Sequence, residues 1–142
     1  MLRPKLPEDD YSLVIRTDFS DEAAWAHVCK SIQEPQTENN FQASVECISD
    51  KACLGVAPEK VASILPRNSQ RSFAFLVDTE AIAHHEHPVL VVDLLEDPGR
   101  SFRVIPSEAW GVENNLRLAN MDFAEFADAV DQDGVFRGFP EA

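Results

Sequence analysis

The longest branched apolar run in the chain is Val89-Leu90-Val91-Val92, entered from Pro88 and left through Asp93-Leu94-Leu95. A run with no polar position predicts a strand covered on both faces. Asp97-Pro98-Gly99-Arg100 reads as a turn, and Ser101 to Ile105 returns as an antiparallel neighbour. Phe73 to Asp78 is a second strand apolar on both sides, and therefore central. The link between these two, Thr79 to His87, is short for a full crossover helix, so it predicts an antiparallel connection.

Upstream, Ser12 to Phe19 reads as the first strand, and Ser20 as the N-cap of a helix with Asp21 and Glu22 in its first turn. Trp25, Val28, Cys29 and Ile32 recur at helical spacing and form its sheet-facing stripe. Phe41 to Ile48 alternates, with Phe41, Ala43, Val45 and Cys47 on one side and Gln42, Ser44 and Glu46 on the other. A strand with one wet face belongs at the outside of the sheet. Pro58 opens a second helix, with Val61, Ile64 and Leu65 inward, and Pro66 closes it.

Downstream, Pro106 to Trp110 predicts a single helical turn. Leu116 to Ala119 fits two patterns: a short strand by the alternation of Leu116 and Leu118, or a helix by Val112, Leu116 and Ala119. Asp122 with Glu125 makes a capping box, and Met121 is placed to staple onto Phe126. Phe123, Phe126, Ala127 and Val130 form the apolar stripe of this last helix. Gly134 ends it, and Val135 to Phe139 should fold back.

The order is β-α-β-α, a β-meander and a C-terminal helix. It predicts an α+β fold, a single-domain mixed β-sheet with helices mainly on one face, spanning residues 1–142 with residues 1–11 as an N-terminal arm. The competing doubly wound α/β sheet needs Thr79 to His87 to be a true crossover. A chain of 142 residues suits one domain with one core. No run approaches a membrane span and no apolar signal core follows Met1, so a cytoplasmic location is the expectation. Three cysteines without Cys-x-x-Cys spacing read as reduced thiols used as small core residues. Cys53, in the connection after the second strand, is expected to be the most exposed.

Charge changes the picture more. With 25 acids against 12 bases, the net charge is −13. Such a surface repels phosphate backbones, which argues against nucleic acid and favours a protein partner with a basic surface.

Candidate chemistry is sparse. No P-loop, Gly-x-Gly-x-x-Gly or Gly-x-Ser-x-Gly occurs. His84-His85-Glu86-His87 resembles a metal tract, with His85 and His87 at i and i+2, but the sequence identifies no third ligand, so neither metal nor cofactor is expected. Asp131-Gln132-Asp133-Gly134 echoes part of a calcium loop without its first acidic position or its final Glu. Asp18, Asp78 and Asp93 fall at strand C-termini, the ligand-binding edge of an open α/β sheet. Asp93, Arg16 and Asp18 are therefore the catalytic candidates. If Glu96 pairs with Ser101, Asp93 lies opposite Val104 with Arg103 on the other face, and Arg16 becomes its expected ion-pair partner. Trp110, Asn114, Asn115 and Asn120 either line a polar pocket or serve as turn and cap residues. Glu125, Asp128 and Asp131 lie opposite the apolar stripe of the last helix and are the candidate partner-binding face.

Four segments carry a family resemblance: Leu13-Val-Ile-Arg-Thr-Asp-Phe-Ser-Asp21, Pro88-Val-Leu-Val-Val-Asp-Leu94, Phe102-Arg-Val-Ile-Pro-Ser-Glu-x-Trp110 and Glu113-Asn-Asn-Leu-x-x-Ala-Asn-Met-Asp-Phe-x-Glu-Phe126. Across most of its length the chain resembles a family of small acidic bacterial and fungal proteins, a domain of unknown function. The resemblance implies no activity. Leu118 to Phe126 also looks like the ending of immunity-type proteins that neutralise toxins. Two functions are thus expected to compete: a non-enzymatic acidic interaction module, inhibitor-like or immunity-like, and a small-molecule enzyme or binding protein with a polar pocket around Asp93 and Arg16.

Overall fold

A computed structural model describes residues 4, 6–7, 11–36 and 41–139. Six strands form one sheet: β1 (Ser12–Arg16), β2 (Val45–Ile48), β3 (Phe73–Val77), β4 (Val89–Asp93), β5 (Ser101–Val104) and β6 (Val135–Phe136), in the order β2-β1-β3-β4-β5-β6. β1 pairs parallel with β2 and β3, β4 is antiparallel to both its neighbours, and β6 is parallel to β5. Only β4 runs against the rest. The link between β3 and β4 is antiparallel as expected and holds one short helix, α3 (Thr79–Ala83). The fold is α+β.

The apolar runs divide strictly by parity. Val14, Phe73, Phe75, Val77, Val89, Val91, Phe102 and Val104 face one core. α1 (Glu22–Gln33), α3, α4 (Ala109–Arg117) and α5 (Phe123–Ala127) cover it. Leu13, Ile15, Ala74, Leu76, Leu90 and Val92 face a second core, closed by the turn at Lys51–Cys53 and by α2 (Val61–Ile64). Two apolar layers explain why Phe73–Val77 and the Val89 to Val92 run carry no polar position. Each fully buried leucine or phenylalanine contributes on the order of 2 kcal/mol.

Local boundaries differ from the sequence expectations for physical reasons. Asp21, not Ser20, caps α1, accepting the Ala24 N–H at 3.0 Å, because Ser20 is bonded to Asp18. The strand expected from Phe41 begins only at Val45. Before it, the Ser44 N–H donates to Glu113 Oε1 at 2.7 Å, and Phe41 stacks on Trp110 with centroids 5.0 Å apart. β2 is nevertheless an outer strand, as expected. Leu116 belongs to a helix, and the turn at Pro106–Glu108 runs straight into α4. The Asp122–Glu125 capping box forms, but α5 ends at Ala127, so Val130 packs from the following loop. Cys53 is fully buried, contrary to expectation, because its turn covers the second core. Of the N-terminal arm, Leu6 packs on that core and the Pro7 carbonyl accepts Arg71 at 3.0 Å; residues 1–3, 5 and 8–10 lie outside the described residues.

Glu113 is the charge buried at the helix–sheet interface. Its side chain is 0% exposed and accepts from Ser12 Oγ at 3.0 Å, the Ser44 N–H at 2.7 Å and Arg117 Nε at 2.7 Å. It fixes α4 across the start of β1 and the lead into β2. Glu113→Ala should cost on the order of 3 kcal/mol in urea unfolding, the scale of breaking a buried pair. Glu113→Gln, which keeps an acceptor, should cost less.

α4 ends in a Schellman motif, with the Asn120 N–H bonded to Asn115 O at 3.0 Å and the Ala119 N–H to Leu116 O at 3.2 Å. The left-handed residue is Ala119, at φ 58°. A Cβ there is unfavourable, so Ala119→Gly should raise stability by roughly 1 kcal/mol, read as a higher denaturation midpoint at unchanged slope.

Candidate functional site

Because β4 is reversed, the three carboxylates expected at one edge divide between two. Arg16 lies opposite Val77 at the end of β3, whereas Asp93 lies opposite Phe73 at its beginning. Roughly 13 Å of strand separates them, so the expected Asp93–Arg16 pair does not form. The register behind that expectation also differs. Val89, not Asp93, is opposite Val104, and the Asp93 N–H reaches Arg100 O at 2.8 Å beyond the ladder.

At the first edge every candidate is engaged. Arg16 is 1% exposed and donates to Asp18 O at 3.1 Å, Ser49 Oγ at 3.2 Å and Glu22 Oε1 at 2.7 Å. Its guanidinium carbon lies 4.4 Å from the Phe19 ring centroid and 5.5 Å from that of Trp25, a cation–π setting that accommodates the Nη2 left without a hydrogen-bond partner. Asp18 accepts from the Ser20 hydroxyl and amide and from Thr79 Oγ1, and these bonds hold its carboxyl below the ordinary value. Asp78 caps α3 through the Ala81 N–H and takes a two-pronged contact from Arg103 at 2.9 and 2.7 Å; Arg103 also pairs with Glu80. These contacts form an interlocked network of hydrogen bonds and ion pairs.

The second edge is different. Asp93 is 3% exposed, yet it accepts only backbone N–H groups, from Leu95 at 2.9 Å, Glu96 at 3.4 Å and Asp97 at 3.0 Å. A buried carboxylate ordinarily meets a cation; this one is solvated by its own turn, as short Asp side chains do. Beside it runs a cleft of about 190 Å³ between the β4–β5 turn and the α4–α5 junction. Ser72 and Asp93 line it with the apolar Leu95, Leu116, Met121 and Phe123, and Glu96 and Asp122 contribute carboxylates. Arg117 also lines it, but Nε is bonded to Glu113 and Nη2 to Asn114.

The side chains of Asn114 and Asn115 bond back onto their own helix. Asn114 Nδ2 donates to Trp110 O at 2.9 Å, and Asn115 Nδ2 to Gly111 O at 2.8 Å. Asn120 closes the Schellman turn, and Trp110 stacks on Phe41. Glu125, Asp128 and Asp131 are exposed but do not share a helix face, because α5 ends at Ala127. Glu125 accepts the Asp122 N–H in the capping box, Asp128 meets Arg100 at 3.5 Å, and Asp131 meets Arg137 at 2.7 Å. His84, His85 and Glu86 bring ligand atoms within 4.8 Å of one another, so the tract supplies its own third group. Glu86 is nevertheless held by Arg137 at 3.0 and 2.9 Å, and His84 Nδ1 accepts the Glu86 N–H at 3.0 Å. His87 stands outside this group: at φ 49° it has Nδ1 2.8 Å from Ala81 O and its ring against His27.

Compared with known sequences, residues 11–139 match the family profile of the domain of unknown function DUF6924. The chain belongs to this family. No curated protein matches the sequence. In this DUF6924 domain no helix of the described residues is long and apolar enough to cross a membrane. Glu113 and the Arg103–Asp78 contact are not among the candidates the sequence pattern singles out. The Glu113/Arg117 spacing of four residues was the available signal for the first.

Burial tends to raise the Asp78 carboxyl, but the Arg103 and Ala81 hydrogen bonds outweigh it and leave it below the ordinary value. A carboxyl lowered on folding stabilises the protein above its unfolded value of about 3.9, and that contribution is lost as pH falls through the lower folded value. Asp78→Asn should cost about 2 kcal/mol at pH 7 and flatten the loss of stability below about pH 4. Asp78→Ala, which also removes the α3 cap, should cost about 1 kcal/mol more. Urea titrations at several pH values read both.

Proposed function

We propose that this domain is a non-enzymatic acidic interaction module whose partner is a protein with a basic surface. The observation that carries the reading is the fate of the charges. Five arginines (Arg16, Arg100, Arg103, Arg117 and Arg137) are tied to carboxylates of the same chain, while Glu96, Asp97 and Asp122 meet no cation among the described residues. Those three border the β4–β5 turn and the start of α5, close to Glu125 and Asp128. A surface with this excess steers a cationic protein and suppresses anionic competitors. An inhibitor-like or immunity-like role fits such a surface. The competing reading, a small-molecule enzyme using Asp93 and Arg16 together, loses its geometric basis because the two occupy opposite ends of the sheet.

The test begins by capturing partners from the source lysate and identifying them. Association is then compared for the wild type and for Glu125→Gln with Asp128→Asn, which leaves a capping glutamine in place. The double substitution should slow association severalfold at low salt and flatten its salt dependence. A captured protein that associates with the variant at an unchanged low-salt rate, or a capture that returns only a small molecule, overturns the reading.

A further inference from the structure

We infer that the cleft beside Asp93 is the subsite that receives one arginine or lysine side chain of the basic partner, an assignment that rests on the interaction reading above. Its lining divides into two parts that match the two parts of such a side chain. Leu95 is 70% exposed at the lip, and Leu116, Met121 and Phe123 continue the apolar wall inward. That wall suits a chain of methylenes, which long cationic residues bury while keeping the head polar. The carboxylates of Glu96 and Asp122 stand at the same cleft, uncompensated by any cation of the described residues.

Charge complementarity selects the occupant. Asp93 adds a third negative charge, 3% exposed and held by N–H groups alone, so its field is not cancelled by an ion pair. The one cation along the cleft, Arg117, has its guanidinium engaged by Glu113 and Asn114 and does not fill the cationic position. An anionic or phosphorylated ligand would face three carboxylates. A purely apolar one would leave them desolvated and unpaired, which is costly. A volume of about 190 Å³ admits a side chain and not a folded element. Arginine is the better match, because its planar fork can meet two carboxylates while its stem packs on Leu95.

The experiment titrates isotope-labelled full-length protein with the peptide acetyl-Gly-Arg-Gly-amide, and with its norleucine analogue as control, at low ionic strength. Amide shifts should concentrate at residues 94–97 and 119–123 with the arginine peptide and be weak with norleucine. Glu96→Gln with Asp122→Asn should weaken the arginine peptide about fivefold, as expected for two partly exposed charge contacts. Asparagine retains the α5 cap, and an unchanged thermal midpoint verifies the fold. Leu95→Ser should weaken binding while leaving its salt dependence intact. Shifts located elsewhere on the acidic surface, or affinity unchanged by the double substitution, overturn the cleft and leave the interaction module standing. Equal binding of norleucine overturns the cationic assignment. If the arginine peptide binds nowhere, the subsite falls, and the interaction reading must then be judged on its captured partner alone.

Discussion

The position of α4 depends on a buried carboxylate that cannot be left without partners. Glu113 sits between helix and sheet with no solvent contact, and three donors from three parts of the chain converge on it: Ser12, Ser44 and Arg117. Each donor solves part of the problem of a buried charge, and together they set where α4 can lie. The consequences run outward along the chain. With α4 fixed, its Schellman turn places Met121 and Asp122, and the capping box starts α5 from there. Phe123 and Phe126 then reach Phe102 on β5, with ring centroids 5.0 and 6.3 Å away. The wall of the cleft is thus a downstream product of a polar contact made one turn earlier in the same helix.

Charge in this protein does two kinds of work. Arginines are used as internal fasteners: Arg103 joins the end of β3 to β5, Arg137 gathers Glu86, Asp131 and Asp133 across the last turn, and Arg117 closes the Glu113 site. Exposed pairs of this kind add little stability each, whereas the half-buried Asp78–Arg103 contact adds more. Their second effect is on the external field. A chain with 25 acids and 12 basic residues that commits five arginines to its own carboxylates leaves seven cations to answer a larger number of remaining acids. The field is therefore uneven, strongest where acids lack a nearby arginine.

How much of this was legible in the sequence depended on whether a residue's role was local. The central strands were legible because two covered faces demand apolar residues at every position of Phe73–Val77 and Val89–Val92. Capping at Asp122 was legible because a capping box lies within four residues. Asp93 was misread although the direction of β4 was legible: the short link from Thr79 to His87 already implied an antiparallel strand, and such a strand ends at the edge opposite the ends of β1 and β3. The α4 segment carries Gly111 and two asparagines, poor helix formers, and is helical because Val112, Glu113 and Leu116 are buried against the sheet. Cys53 looked like a loop residue and is core, since the loop itself closes the second layer.

The contrast between the two sheet edges bears on where function lies. At the edge holding Arg16, Asp18, Asp78 and Arg103, Arg16 meets Glu22 and Arg103 meets Asp78 and Glu80, while Asp18 is held by Ser20 and Thr79, and changing protonation there would break structural contacts. Such a network is poorly suited to cycling through charge states, although it holds β1, β3 and β5 together. At the other edge Asp93 is stabilised by amide dipoles, which leave its net charge in place. A carboxylate held this way is rigid and still negative, and its turn presents Glu96 and Asp97 beside it. Rigid placement lowers the ordering cost of binding, because the receiving groups do not have to be immobilised on contact. The reversal of β4 therefore separates an end of the sheet where Arg16 and Arg103 are paired from one where Asp93, Glu96 and Asp97 meet no cation among the described residues.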